Sequence, residues 1–144
     1  MAHFITSIGQ SGPALEVQIG VSDPQRAALV NAGLPIPPTI IVQMLIDTGA
    51  DNTTVDDSII AGFNLQPSGA ARILTPTTGA VAVTVPTFEI EVTLLGPTPK
   101  SFSSLTVCGG DILAMGHHGL LGRDVLAECR MMYSGPDDMV ILMF

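Results

Sequence analysis

Tryptophan is absent from this chain, tyrosine occurs once, and cysteine occurs only as Cys108 and Cys129. No metal-type or redox-type spacing links the two cysteines, so buried reduced thiols are expected, with a disulfide or redox switch as the alternative. Charge is equally scarce. Only 12% of residues are charged, with five Lys and Arg against thirteen Asp and Glu, for a net charge of -8. That balance argues against a phosphate-binding footprint and against an anionic membrane surface, so neither nucleic acid nor membrane is an expected partner. Neutral or cationic peptides remain compatible with it. No apolar run approaches the roughly 20 residues that a spanning helix requires. The first residues, Met1 to Thr6, carry neither the basic patch nor the apolar run of a signal peptide, so a cytoplasmic location is expected.

What is abundant is apolar. Hydrophobic residues make up 47% of 144 residues, more than so little charge can cover, and some surface is expected to be buried against a partner. The length fits one domain, 1–144, able to bury a core without disulfide or metal staples. Val, Ile and Thr in short runs, punctuated by 15 Gly and 11 Pro, indicate a mostly all-β fold.

Residues 14–21 alternate as a half-buried strand. At 23–33, Asp23 as N-cap, Pro24 at the first helical position and a closing Gly33 predict a short helix. Pro35, Pro37 and Pro38 then force an extended connection into a strand that ends at Asp47. Residues 56–60 suggest a turn or helical piece. A hairpin is predicted from 71–74 and 80–85, with its tip at 75–79. Strands follow around 87–95 and 101–108, and one or two helical turns over 123–129. Two closing strands flank 134–138. The last of them, 139–144, is apolar throughout, so either the rest of the chain or a second subunit must cover it.

Asp47-Thr48-Gly49 occurs once, at the end of the run Ile41 to Ile46. A strand ending in a tight turn holds a carboxylate rigidly, Thr48 can tie the loop to backbone, and Gly49 permits close approach. An isolated aspartate titrates at about 3.9 and is a poor acid or base at mild pH. Two aspartates held about 3 Å apart share one proton, which provides a base for water and an acid for a carbonyl. With one such motif per chain, the second carboxylate must come from a second copy. On its own the tripeptide is weak, common in turns where Asp caps backbone. A second run, Gly119-Leu120-Leu121-Gly122-Arg123-Asp124, follows the glycine-tipped hairpin and adds to it.

These two runs and the element order resemble the retropepsins, single-lobed homodimeric aspartic proteases. The resemblance implies an acid-protease barrel with a flap hairpin and an active site on the two-fold axis of a homodimer. It implies an aspartic endopeptidase acting on peptide or protein substrates without cofactor or metal, with Asp47 of each chain as the catalytic carboxylate. Thr48 would lock the two active-site loops across the dimer axis with Gly49. Gly49, Ala50 and Asp51 would line the substrate groove, under flap residues Pro76, Thr77, Thr78 and Gly79. Arg123 would salt-bridge Asp51. The chain departs from the family in the long 23–38 segment, an expanded 109–118 loop, a longer C-terminal hairpin and a flap with Pro76 and one glycine. Alanine at position 50 supplies no hydroxyl to the dyad, so activity is expected to persist at mildly acidic pH. The rival reading is a catalytically inactive dimerisation or peptide-binding module of the same fold.

Other groups carry less. His117 and His118 are adjacent and lack helical pairing, which favours an exposed loop over a metal site. Asp56-Asp57 and Asp137-Asp138 suggest turns. Asp124 is expected at a helix N-terminus, not as a second catalytic acid. The seven Met are expected to fill core or interface space.

Overall fold

The computed structural model describes residues 1–75 and 79–144. Its strands are β1 (His3–Ser7), β2 (Ala14–Val21), β3 (Ile40–Ile46), β4 (Thr54–Asp56), β5 (Gly69–Ile73), β6 (Val83–Leu94) and β7 (Lys100–Gly110). Then come β8 (Gly119–Leu121), β9 (Arg130–Ser134) and β10 (Met139–Met143). Three short α-helices interrupt them among the described residues, α1 (Asp23–Asn31), α2 (Asp57–Gly62) and α3 (Arg123–Leu126), with a 3-10 turn at Leu113–Met115. None is long and apolar enough to cross a membrane.

Six strands close a barrel in the order β2-β3-β8-β4-β7-β6, with β6 returning to pair with β2. Closure removes the edges that isolated β-rich chains must otherwise protect. Alternation sets the inside: Leu15, Val17 and Ile19 of β2 point inward, against Met44, Ile90, Val92, Val107 and Leu121. Two pairings are parallel, β3 with β8 and β4 with β7. The first places the strand that leads into Asp47 beside the strand that ends at Leu121.

Outside the barrel, β5 pairs only with β6 among the described residues, as a projecting hairpin. Its pairing stops at Ile73 and Val83, so the connection is wider than the sequence predicted. The tip residues Pro76, Thr77 and Thr78 lie outside the described residues. The two strands predicted at 80–85 and 87–95 are one strand, β6, continuous through Pro86. Pro86 sits opposite Ala70 of β5, and pairing with β7 begins only at Thr87. The missing N–H therefore falls where β6 has a single neighbour, a position that tolerates proline.

Two further expectations are corrected. The N-cap of α1 is Ser22, whose hydroxyl accepts from Gln25 N–H at 3.3 Å, with Asp23 in the first turn. Serine and aspartate are comparable caps, so composition alone does not choose between neighbours. His117 is buried, its Nε2 3.1 Å from the Ser11 carbonyl, and does not lie in an exposed loop. Cys108 is buried and Cys129 partly so; both are free, and burial raises both thiol pKa values.

The apolar closing strand finds its cover within the chain. β10 is the middle of a three-stranded sheet, β1-β10-β9, with Val140 and Leu142 fully packed.

Asp56 joins β4, α2 and the loop before β8. Its Oδ1 accepts from Ser58 N–H at 2.9 Å and from the Ser58 hydroxyl; its Oδ2 accepts from Ile112 N–H at 3.0 Å and Leu113 N–H at 2.8 Å. The Ser58 hydroxyl and these amides outweigh burial and lower its pKa to about 2. Because the folded pKa lies below the unfolded one, the stabilisation is complete above about pH 4 and lost as pH falls towards 2. It amounts to roughly 2 kcal/mol. Wild type is expected to melt above Asp56→Asn at pH 6, with the gap narrowing towards pH 2. A pH-independent gap would contradict this.

Candidate active site

β3 carries the chain to Asp47 as a half-buried strand rich in Ile and Val, and the end of β8 receives it. Asp47 N–H donates to the Leu121 carbonyl at 3.0 Å, just beyond the last parallel pair, Ile46 with Leu121. The following loop turns on itself. Ala50 N–H donates to the Asp47 carbonyl at 3.3 Å, and Gly49 N–H donates to Asp47 Oδ1 at 2.9 Å. That last bond orients the half-buried carboxylate from the backbone side, and it is charge-assisted when Asp47 is ionised.

Arg123 holds the outer side of the same loop. Its backbone N–H donates to the Ala50 carbonyl at 2.9 Å, its Nη1 donates to the Thr48 carbonyl at 2.9 Å, and its Nη2 pairs with the Asp51 carboxylate. Both charged side chains are more than half exposed, so their Coulomb attraction adds little stability. The effect is geometric: one guanidinium bridges two points of a loop that bears a carboxylate.

Beneath this lies a clamp that the sequence reading did not identify. Buried Thr53 donates its N–H to Asp124 Oδ2 at 2.8 Å and its hydroxyl to Asp124 Oδ1 at 2.8 Å. The same hydroxyl accepts from Gly122 N–H at 3.1 Å. Asp124 does lie in the first turn of α3, where its Oδ1 also accepts from Val125 N–H at 2.9 Å. Its main business is with Thr53, 71 residues away, and no local pattern in the chain announces that pairing. Gly122 completes the clamp. A Cβ there would lie 2.5 Å from the Asn52 carbonyl carbon and 2.8 Å from Thr53 N, too close for any side chain.

The residues singled out from sequence therefore fall into two groups. Asp47, Thr48, Gly49, Ala50, Asp51 and Arg123 share one loop system. Gly79 lies at the far end of the β5–β6 hairpin, with positive φ and its N–H donating to the Thr75 carbonyl at 3.1 Å; Pro76, Thr77 and Thr78 lie outside the described residues. Two other carboxylates of the loop system are engaged within the chain, Asp51 by Arg123 and Asp124 by Thr53. Among the described residues no group of three or more His, Cys, Asp or Glu is placed to hold a metal ion.

No family model matches this sequence, and no curated protein does. Among solved structures, the chain is similar to the crystal structure of a retropepsin-like aspartic protease from Rickettsia conorii. The TM-score is 0.58 at 14% sequence identity, over 98% of this chain and 90% of that one. At that identity the likeness is one of fold. The chain has a mostly β, retropepsin-like fold, with the Asp47 loop mounted on it.

Proposed function

We propose that this protein is an aspartic endopeptidase, active as a homodimer in which Asp47 pairs with Asp47 of the partner subunit. The observation that carries the reading is a half-buried Asp47 on a clamped loop, beside carboxylates already engaged. A dyad needs a second carboxylate, and the other two of the loop system, Asp51 and Asp124, are taken.

In the dyad one aspartate is ionised and its partner protonated. The ionised carboxylate takes a proton from water as the oxygen attacks the scissile carbonyl carbon, and the protonated one gives its proton to the carbonyl oxygen. The tetrahedral diol collapses as the C–N bond breaks, with one proton passing to the leaving nitrogen. Water is the nucleophile, so no covalent enzyme intermediate forms.

Thr48 and Gly49 sit where two loops meet at the dimer axis in this reading, while Gly49, Ala50 and Asp51 present backbone to an extended peptide. The β5–β6 hairpin acts as a flap whose tip excludes water. Leu74 and Val81 flank that tip and are largely exposed, which suits apolar groups that gain cover only from bound substrate.

Digestion of a peptide library with and without a statine-type transition-state mimic tests this reading. Cleavage that the mimic suppresses is expected. A dimeric protein that cleaves no peptide would contradict it and leave a peptide-binding or dimerisation module.

A further inference from the structure

We infer that a second copy of this chain docks against the free edge of β9, so that the two three-stranded sheets join as one six-stranded sheet across the two-fold axis. The inference rests on the two-chain reading of Asp47 and specifies how the two chains meet.

Interleaving of terminal strands from two chains is closed off here, because β10 is hydrogen-bonded along both edges by β1 and β9 of its own chain. The β1 side of the sheet is tied to the barrel: the Thr6 hydroxyl donates to the Ala14 carbonyl at 2.7 Å, and Phe4 packs beneath Gly96. β9 pairs only with β10 among the described residues.

The side chains along β9 are those of an interrupted core. Register places Phe4, Leu142 and Met131 in one row, and Thr6, Val140 and Tyr133 in the next. Along the first row exposure rises from 3% at Phe4 and 0% at Leu142 to 42% at Met131. In the second, Val140 is 1% exposed and Tyr133 59%. On the opposite face Ile5, Ile141 and Met132 form a row that is not buried, 59% exposed at Ile5 and 43% at Met132. Two buried rows that run into solvent at the same edge strand are an unfinished layer.

Three observations identify the occupant as a second copy. Antiparallel pairing of β9 with β9 has two-fold symmetry, as an isologous contact requires. The strand Arg130–Ser134 contains no carboxylate, so two chains of net charge -8 can approach there. Finally, Met131 opens onto an apolar-lined groove shared with Thr48, Arg123, Leu126 and Ala127, so the patch is continuous with the Asp47 loop. A partner seated on β9 thereby meets the loop whose carboxylate needs a second.

The test is sedimentation velocity over a micromolar concentration series, with circular dichroism melting as the check of folding. Wild type is expected to be dimeric. The double variant Met132→Glu/Tyr133→Glu is expected to be a folded monomer, whereas Ile5→Glu, on the opposite edge of the same sheet, is expected to stay dimeric. Hydrogen exchange on wild type gives a readout independent of any variant: β9 amides should gain protection as concentration rises, and β1 amides should not. A monomeric wild type, a β9 variant that remains dimeric, or concentration-independent β9 exchange would overturn the inference. A dimer that depends on β9 yet cleaves no peptide would support this interface and refute the peptidase reading, so the two failures are distinguishable.

Discussion

Asp47→Asn is expected to lower peptide cleavage on the order of 10³-fold or more, the range in which removal of a general acid–base falls. The amide is nearly isosteric, and its oxygen can still accept from Gly49 N–H as Asp47 Oδ1 does at 2.9 Å. Loop shape and dimerisation should therefore persist, and melting temperature should change little. What is lost is the capacity of the site to hold one ionised and one protonated carboxylate, on which both water activation and carbonyl polarisation depend. Cleavage of a peptide selected from the library, followed alongside sedimentation, separates these effects. Undiminished cleavage by the variant would show that the chemistry lies elsewhere.

The second large effect concerns stability. Gly122→Ala is expected to destabilise the fold by about 3 kcal/mol, at the upper end for added volume in a packed site. The reason is contact distance, since the glycine φ of -87° is open to any residue. The added Cβ would fall 2.5 Å and 2.7 Å from the Asn52 carbonyl carbon and oxygen, and backbone cannot swing aside as a flexible side chain can. Relief requires α3 to move away from residues 52 and 53, which stretches the Gly122 N–H bond to the Thr53 hydroxyl and both Thr53–Asp124 bonds. Urea melts compared with wild type give the cost. A variant within 0.5 kcal/mol of wild type, about the scale of an ordinary surface change, would mean the clamp is looser than its distances.

How legible the fold was from sequence depends on how local each determinant is. The strand that ends at Asp47 and the run from Gly119 to Asp124 are continuous patterns, and β3 and α3 stand where those patterns place them, whereas the short strand β8 was not among the expected strands. The mostly β, retropepsin-like fold followed from them. Determinants that lie between distant segments were not visible. Pro86 marks a strand break unless it is known that β6 has one neighbour there, which is a property of the sheet. Thr53 belongs to Asp124, and buried His117 faces the Ser11 carbonyl, because the barrel closes on them. The sequence had also left open whether the chain or a partner covers 139–144. β1 and β9 decide that for β10, and the uncovered apolar surface moves one strand outward, mostly to Met131, Met132 and Tyr133 of β9, with Ile5 alone on β1.

The central claim is that one active site is made from two copies of Asp47, and subunit mixing tests it most directly. Wild-type chain is equilibrated with an equal amount of Asp47→Asn chain under conditions that permit exchange, and cleavage is compared with the wild-type chain alone. Random pairing sends half of the wild-type chains into dimers with one carboxylate, so activity should fall to about half. Excess variant should drive it towards zero. Activity that stays at the wild-type level at every ratio, with sedimentation and exchange showing that mixed dimers form, would contradict a shared site.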